Sequence, residues 1–193
     1  MGKRWQLRRL LLAIATALLA SWLIRFWPYQ PLPGKTVILG LGSYSYIEEL
    51  SAQIAQTNSD LNIIISSGLP ADESRPIFKR FGISKSRVTL DNQAQDTLTN
   101  FTTILPFLER HKVANAILVC EDWRVDRSKA LAEIVLGARG ITYSFAPYAT
   151  SNKKYSYNRE IDRKKILRDQ VRGYLWLFTG WDPAGQLSGE GYR

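Results

Sequence analysis

The residues able to do chemistry are few, and their types narrow the chemistry sharply. The chain of 193 residues holds one histidine, His111, and one cysteine, Cys120. A single histidine and a single cysteine cannot build any of the common zinc sites, and one cysteine excludes an internal disulfide. His111 sits in Glu109-Arg110-His111-Lys112 at the end of a helical stretch, where an exposed position is expected. No Ser/His/Asp set is therefore credible. Cys120 closes an apolar run and is expected to be inert core rather than a nucleophile. Carboxylates remain: Asp91 and Asp122 are the candidates for a general base or a magnesium or calcium ligand, although Asp91 reads equally as a solvated strand end. No residue pattern demands a metal or names a cofactor.

Two further patterns bear on ligands. Gly40 and Gly42 follow a short apolar run, a placement that suits a phosphate-approaching loop. Their spacing lacks the full dinucleotide fingerprint, and a tight turn alone accounts for them as well. Thr97 and Asn100 lie where a helix begins. Asp96 or Thr97 there can cap the helix, but Asn100 is a poor helix former one turn in, best accounted for by a hydrogen bond to a neighbouring loop.

The elements that position these residues alternate regularly. Apolar runs at residues 36–42, 61–66, 87–90, 116–120 and 141–146 read as strands. Helices are expected over 43–57 with Ser43 as N-cap, 74–81, 96–111 with a kink at Pro106, 125–136 and 160–178. Leu98, Phe101, Ile104 or Leu105, and Leu108 form the stripe of the third helix. Strands alternating with helices imply an α/β fold, an open Rossmann-like three-layer sandwich of about five parallel strands. Runs without polar alternation fit strands covered on both faces. Ligands in such folds bind beyond the carboxyl ends of the strands, which directs attention to residues 40–45, 66–69, 91–100 and 120–127.

The formal net charge of +9 is concentrated in two places. Residues 36–150 carry 11 basic and 12 acidic side chains, whereas 151–172 carry 8 basic and 3 acidic. A nucleic-acid module would show a basic face across the domain, so nucleic acid is not an expected partner. The late basic helix is expected to be a solvated face, with Tyr174, Leu175 and Phe178 completing the core. The rival reading lays it on anionic headgroups.

At the other end, Lys3, Arg4, Arg8 and Arg9 precede fifteen uncharged residues, 10–24, and Arg25 follows. With Phe26 and Trp27 included and Arg25 snorkelling, the helix approaches the roughly 30 Å of a hydrocarbon core. Trp5 at one end and Trp22, Trp27 and Tyr29 at the other suit the interfaces. Residues 1–28 thus read as a basic cytoplasmic tip and transmembrane signal anchor, single-pass in the plasma (inner) membrane. The bilayer would be engaged through residues 10–27 and the domain placed outside the cytoplasm. A cleaved signal peptide competes, but Ala17 and Ala20 before Ser21-Trp22 make a poor cleavage site. Pro28, Pro31, Pro33 and Gly34 make 29–35 a stiff linker; the α/β domain spans 36–180, and 181–193 is a flexible tail.

The rim segments resemble the YdcF/SanA/ElyC family, bacterial envelope-associated proteins sharing a domain of unknown function. Leu39-Gly40-Leu41-Gly42 looks like the family's first strand and glycine turn, and Ile65-Ser66-Ser67-Gly68 like its second strand ending in Ser-Gly. The segment Leu90-Asp91-Asn92-Gln93-Ala94-Gln95-Asp96-Thr97-Leu98-Thr99-Asn100 resembles its acid, small residue, then Thr-x-x-Asn pattern. Val119-Cys120-Glu121-Asp122-Trp123-Arg124-Val125-Asp126-Arg127 resembles the segment that normally carries a histidine and, three residues later, an arginine. The chain departs from the pattern by placing Arg124 where that histidine stands, and Leu69 where a second glycine follows Gly68. Guanidinium stays protonated at any relevant pH, so Arg124 cannot replace a histidine in proton transfer. Arg124 and Arg127 would instead suit holding phosphate or carboxylate, unless Glu121, Asp122, Arg124, Asp126 and Arg127 are only a capped helix start with surface ion pairs.

The resemblance implies a ligand site of Gly40, Gly42, Ser67, Gly68, Thr97, Asn100, Arg124 and Arg127. The expected function is binding of a small anionic ligand, of phosphate or nucleotide type, in cell-envelope biogenesis or barrier function. A hydrolase or transferase using Asp91 or Asp122, and a non-catalytic structural envelope factor, are the rivals.

Overall fold

A computed structural model describes residue 16, residues 33–150 and residues 159–182. The chain divides into two units, Met1–Gln30 and Pro31–Arg193, and the sheet with its helices belongs to the second. Residues 10–15 and 17–27, on which the anchor reading falls, lie outside the described residues, as does the tail beyond Asp182. Among the described residues no helix is long and apolar enough to cross a membrane.

Five strands, β1 (Lys35–Leu41), β2 (Asn62–Ser66), β3 (Val88–Asp91), β4 (Val113–Glu121) and β5 (Thr142–Tyr148), form one sheet in the order β3-β2-β1-β4-β5. Every pairing is parallel, with Leu39 in register with Ile64 on one side and Leu118 on the other. The chain moves outward from β1 to β3 and then returns to the other side of β1 for β4. The switch point therefore lies between β1 and β4.

The expected helices are present with shifted ends: α1 (Ser45–Thr57), α2 (Ala71–Arg80), α3 (Thr99–Thr102), α4 (Leu105–Arg110), α5 (Val125–Val135) and α6 (Arg159–Thr179). One face of the sheet presents Ile38, Ile63, Ile65 and Val119 to Ile47, Ala52 and Phe78 of α1 and α2. The other presents Leu39, Leu41, Ile64 and Leu118 to Leu98, Phe101, Leu108, Leu131 and Val135. These two cores are the reason that the strands carry no polar alternation.

Three local expectations are corrected. The stretch 96–111 is two short helices rather than one kinked helix. Pro106 lies in the first turn of α4, where its missing N–H leaves no intrahelical bond unmade. Ile104 and Leu105 are both buried. Ser43 does not cap α1; Tyr44 holds that position without a side-chain capping bond to the helix, and the Ser43 hydroxyl donates to the Ser67 carbonyl at 2.6 Å. Finally, Phe178 and Tyr174 do not complete the core. They are exposed, while Trp176 and Leu177 pack against it.

Helix α6 packs closely on α5 at Gly173. A Cβ there would meet Ile134 Cδ1 and Cγ2 and Leu131 Cδ2, all at 3.4 Å, which is ordinary contact distance. Gly173→Ala is expected to stabilise the domain by up to about 1 kcal/mol through helix propensity. Gly173→Leu should destabilise it by about 1–3 kcal/mol by forcing the helices apart. Urea unfolding of both variants checks the pair.

Candidate functional site

The carboxyl ends of β1, β2 and β3 are stitched together by their own backbones. Gly42 N–H donates to Ser66 O at 3.1 Å, and Ser67 N–H donates to Asp91 O at 2.8 Å. Ser67 has φ 57°, a left-handed backbone for a residue with a side chain. Its hydroxyl donates to Ala94 O at 2.6 Å, tying the β2 turn to the loop after β3. Buried Asn100 accepts from the Ser66 hydroxyl at 3.4 Å, so the poor helix former is indeed bonded to a neighbouring strand end. Thr97 is buried beside it.

Gly40 and Gly68 are packing positions. A Cβ on Gly40 would lie 2.7 Å from Ile65 Cδ1, and one on Gly68 would lie 2.4 Å from Ile65 Cγ2 and 2.8 Å from Glu48 Oε1. Gly42 is different. Its φ of +126° is one that glycine alone adopts readily, and a Cβ would meet Arg124 Nη1 at 3.0 Å. The guanidinium of Arg124 thus lies over the first glycine turn, at the switch point. It donates to Glu121 Oε2 at 3.2 Å, and Glu121 is fully buried. Tyr46 donates its hydroxyl to the other oxygen of Glu121 at 3.4 Å. Tyr46 is itself stacked between Tyr44 and Tyr148, with ring centroids 5.0 and 4.4 Å away. The reading of Glu121 and Arg124 as a surface ion pair is therefore corrected: the pair is at least half inside the protein.

The remaining candidates are drawn elsewhere. Asp91 accepts from the Thr103 hydroxyl at 2.5 Å and from Gln93 N–H at 3.1 Å. Asp122 is held by Trp123 N–H and by Thr150, whose hydroxyl donates to it at 2.7 Å. The Thr150 bond keeps its carboxyl below the ordinary range. Arg127 donates through Nε to Asp169 of α6. Asp169, fully buried, also accepts from Arg168 at 2.8 Å and lies 3.6 Å from Arg172. Arg172 in turn pairs with Asp96 at 2.8 Å and Asp182 at 2.7 Å. Burial works to raise the Asp96 carboxyl, but the Thr99 backbone N–H and Arg172 outweigh it and hold it low. This ionic network clamps α6 to α5 and to the loop after β3. Arg124 and Gly42 meet directly; Arg127 is engaged by the network instead.

Among the described residues no cluster of three or more His, Cys, Asp or Glu could hold a metal. Cys120 is fully buried, and burial pushes its thiol up to about 11, as an inert core residue requires. His111 is exposed at a helix end, its Nδ1 bonded to Phe107 O at 2.9 Å.

Sequence reasoning passes over Glu121, Tyr46 and Glu48 as site residues. The signal for Glu121 is the period of two in a strand: it shares a face with Val119, which α1 covers. Glu48, fully buried on α1, accepts from Leu69 N–H at 2.9 Å and from the Ser74 hydroxyl at 2.6 Å, pinning the 66–70 turn. Burial raises its carboxyl above 4.5, against the hydrogen bonds from Ser74 and Leu69. A carboxyl raised in the folded state contributes stability below pH 4.5 that is lost as pH rises through the folded value. Wild type should therefore lose stability relative to Glu48→Gln as pH increases from 4.5 to neutrality. Urea unfolding across that window reads the difference, and parallel curves would contradict the assignment.

No protein-family model, curated protein or solved structure matches the chain.

Proposed function

We propose that the chain is a membrane-anchored, YdcF-like domain that binds a small anionic ligand of phosphate or nucleotide type at the switch point of its sheet. The observation carrying this reading is the Arg124 guanidinium held over the Gly42 turn. A fixed, permanently charged fork beside a glycine turn offers paired donors to phosphate or carboxylate oxygens. The anchor at residues 10–27, the extracytoplasmic placement of the domain and a role in the cell envelope draw on the basic apolar N-terminus and on the resemblance of the rim segments.

A thermal-shift panel of pyrophosphate, nucleoside diphosphates and sugar phosphates on the full chain tests the reading. A ligand at 100 times its dissociation constant adds about 2.7 kcal/mol, a rise of roughly 5–10 °C for a domain of this size. No shift across the panel would favour the structural envelope factor.

A second reading, a hydrolase or transferase on the same ligand, draws on Glu121. A fully buried carboxylate hydrogen-bonded to a tyrosine beside a cation is an arrangement suited to proton transfer. Turnover lost in Glu121→Gln with ligand binding retained would support it, whereas turnover lost in Asp91→Asn would move the base to β3.

A further inference from the structure

Helix α6 carries apolar side chains on both its inner and its outer face. Its inner face carries Gly173 against Ile134 and Leu131, buried Asp169, and Trp176 and Leu177 on the core. On its outer face, Leu167 is 64% exposed, Val171 60%, Phe178 75% and, just past the helix, Trp181 43%, with Tyr174 partly exposed on the same line. The spacing of four, three and four residues keeps Leu167, Val171, Tyr174 and Phe178 on one stripe. Singly exposed apolar residues are ordinary on a protein surface, but a ridge of four is not.

Charge identifies what the ridge fits. Arg163, Lys164, Lys165 and Arg168 are exposed on the amino-terminal half. At 3.6 residues per turn, Lys164 and Arg168 fall about 20° and 60° from Val171. From residue 163 to 181 the sole acid is Asp169, which is buried; Glu160 and Asp162 belong to the first turn of the helix, and Asp182 is paired with Arg172. A second copy laid on this stripe would set its cations beside cations when parallel, and against an acid-free aromatic half when antiparallel. The tail 183–193 offers only Leu187 and Tyr192 as large apolar groups, and 151–158 only two tyrosines. An aliphatic and aromatic ridge bordered by cations has the composition of a helix lying in a membrane interface.

We propose that the outer face of α6 docks on an anionic bilayer surface, with Leu167, Val171 and Phe178 in the headgroup–acyl boundary and Arg163 and Lys164 at lipid phosphates. This contact uses none of the ligand-site residues.

The test uses the full chain with Val171→Cys carrying a spin label, Cys120 being fully buried and out of reach of the reagent. Labelled protein is reconstituted in vesicles of phosphatidylcholine alone or mixed with phosphatidylglycerol. The label's collisions with water-soluble and lipid-soluble relaxation agents are then compared. In the mixed vesicles it should be reached by the lipid-soluble agent. Arg163→Glu with Lys164→Glu should return it to water, since each cation near an anionic surface is worth about fivefold in occupancy. Sedimentation with phosphatidylcholine vesicles reads the N-terminal anchor independently. Three results would overturn the proposal: a label equally water-exposed in both vesicles, label–label broadening from a second copy, or shelter that persists in detergent.

Discussion

Asp169→Ala is expected to destabilise the domain by about 3 kcal/mol, among the largest effects of any single polar substitution. Asp169 is fully buried and receives Arg127, Arg168 and Arg172. Removing one partner of a buried ion pair typically costs about 3–5 kcal/mol because the other charge stays buried without compensation. The lower end applies because Arg168 is largely exposed and Arg172 keeps Asp96 and Asp182. Arg80→Ala, which removes the exposed pair with Glu49, should change stability by no more than about 0.5 kcal/mol. Urea unfolding of the two variants side by side makes the contrast. If Asp169→Ala were as mild as Arg80→Ala, the network would not be what clamps α6 to the rim.

Arg124→Ala is expected to do two things at once. It strips Glu121, fully buried, of the guanidinium that compensates its charge and leaves it the Tyr46 hydroxyl, costing about 3 kcal/mol. It also removes the fork above Gly42 and with it the stabilisation by phosphate-type ligands. The effects separate in the double variant Glu121→Gln with Arg124→Ala. Without a buried charge to compensate, stability should return to within about 1 kcal/mol of wild type, while the ligand-induced thermal shift stays absent. Recovery of both would move the anion site away from Arg124. Persistent instability would mean that the pair's neighbours, rather than its charges, hold the β4 rim.

Much of the sheet is legible in the sequence because its strands are buried on both faces. Continuous apolar runs such as 61–66 and 116–120 are too short for core helices and fit the middle of a covered sheet, and glycine and proline punctuation bounds them. The illegible parts have physical reasons. A helical pattern over 96–111 cannot say whether Pro106 kinks one helix or opens a second; the turn at 103–104 decides this through tertiary packing of both Ile104 and Leu105. The partner of Arg127 lies 42 residues away on α6, and no local spacing reveals it. The two arginines of the rim look equivalent in sequence, yet one faces a glycine turn and the other an aspartate of the last helix. The aromatic end of α6 misleads for a similar reason: Trp176 and Phe178 are two residues apart, and only the helix's rotation on α5 decides which packs against the core.

The most direct measurement is an amide chemical-shift titration of the full chain with pyrophosphate, watching Gly42 and Ser43. Saturable movement of both amides, absent in Arg124→Ala, is the expected result. If neither amide moves, or if both move unchanged in the variant, the switch-point site is contradicted.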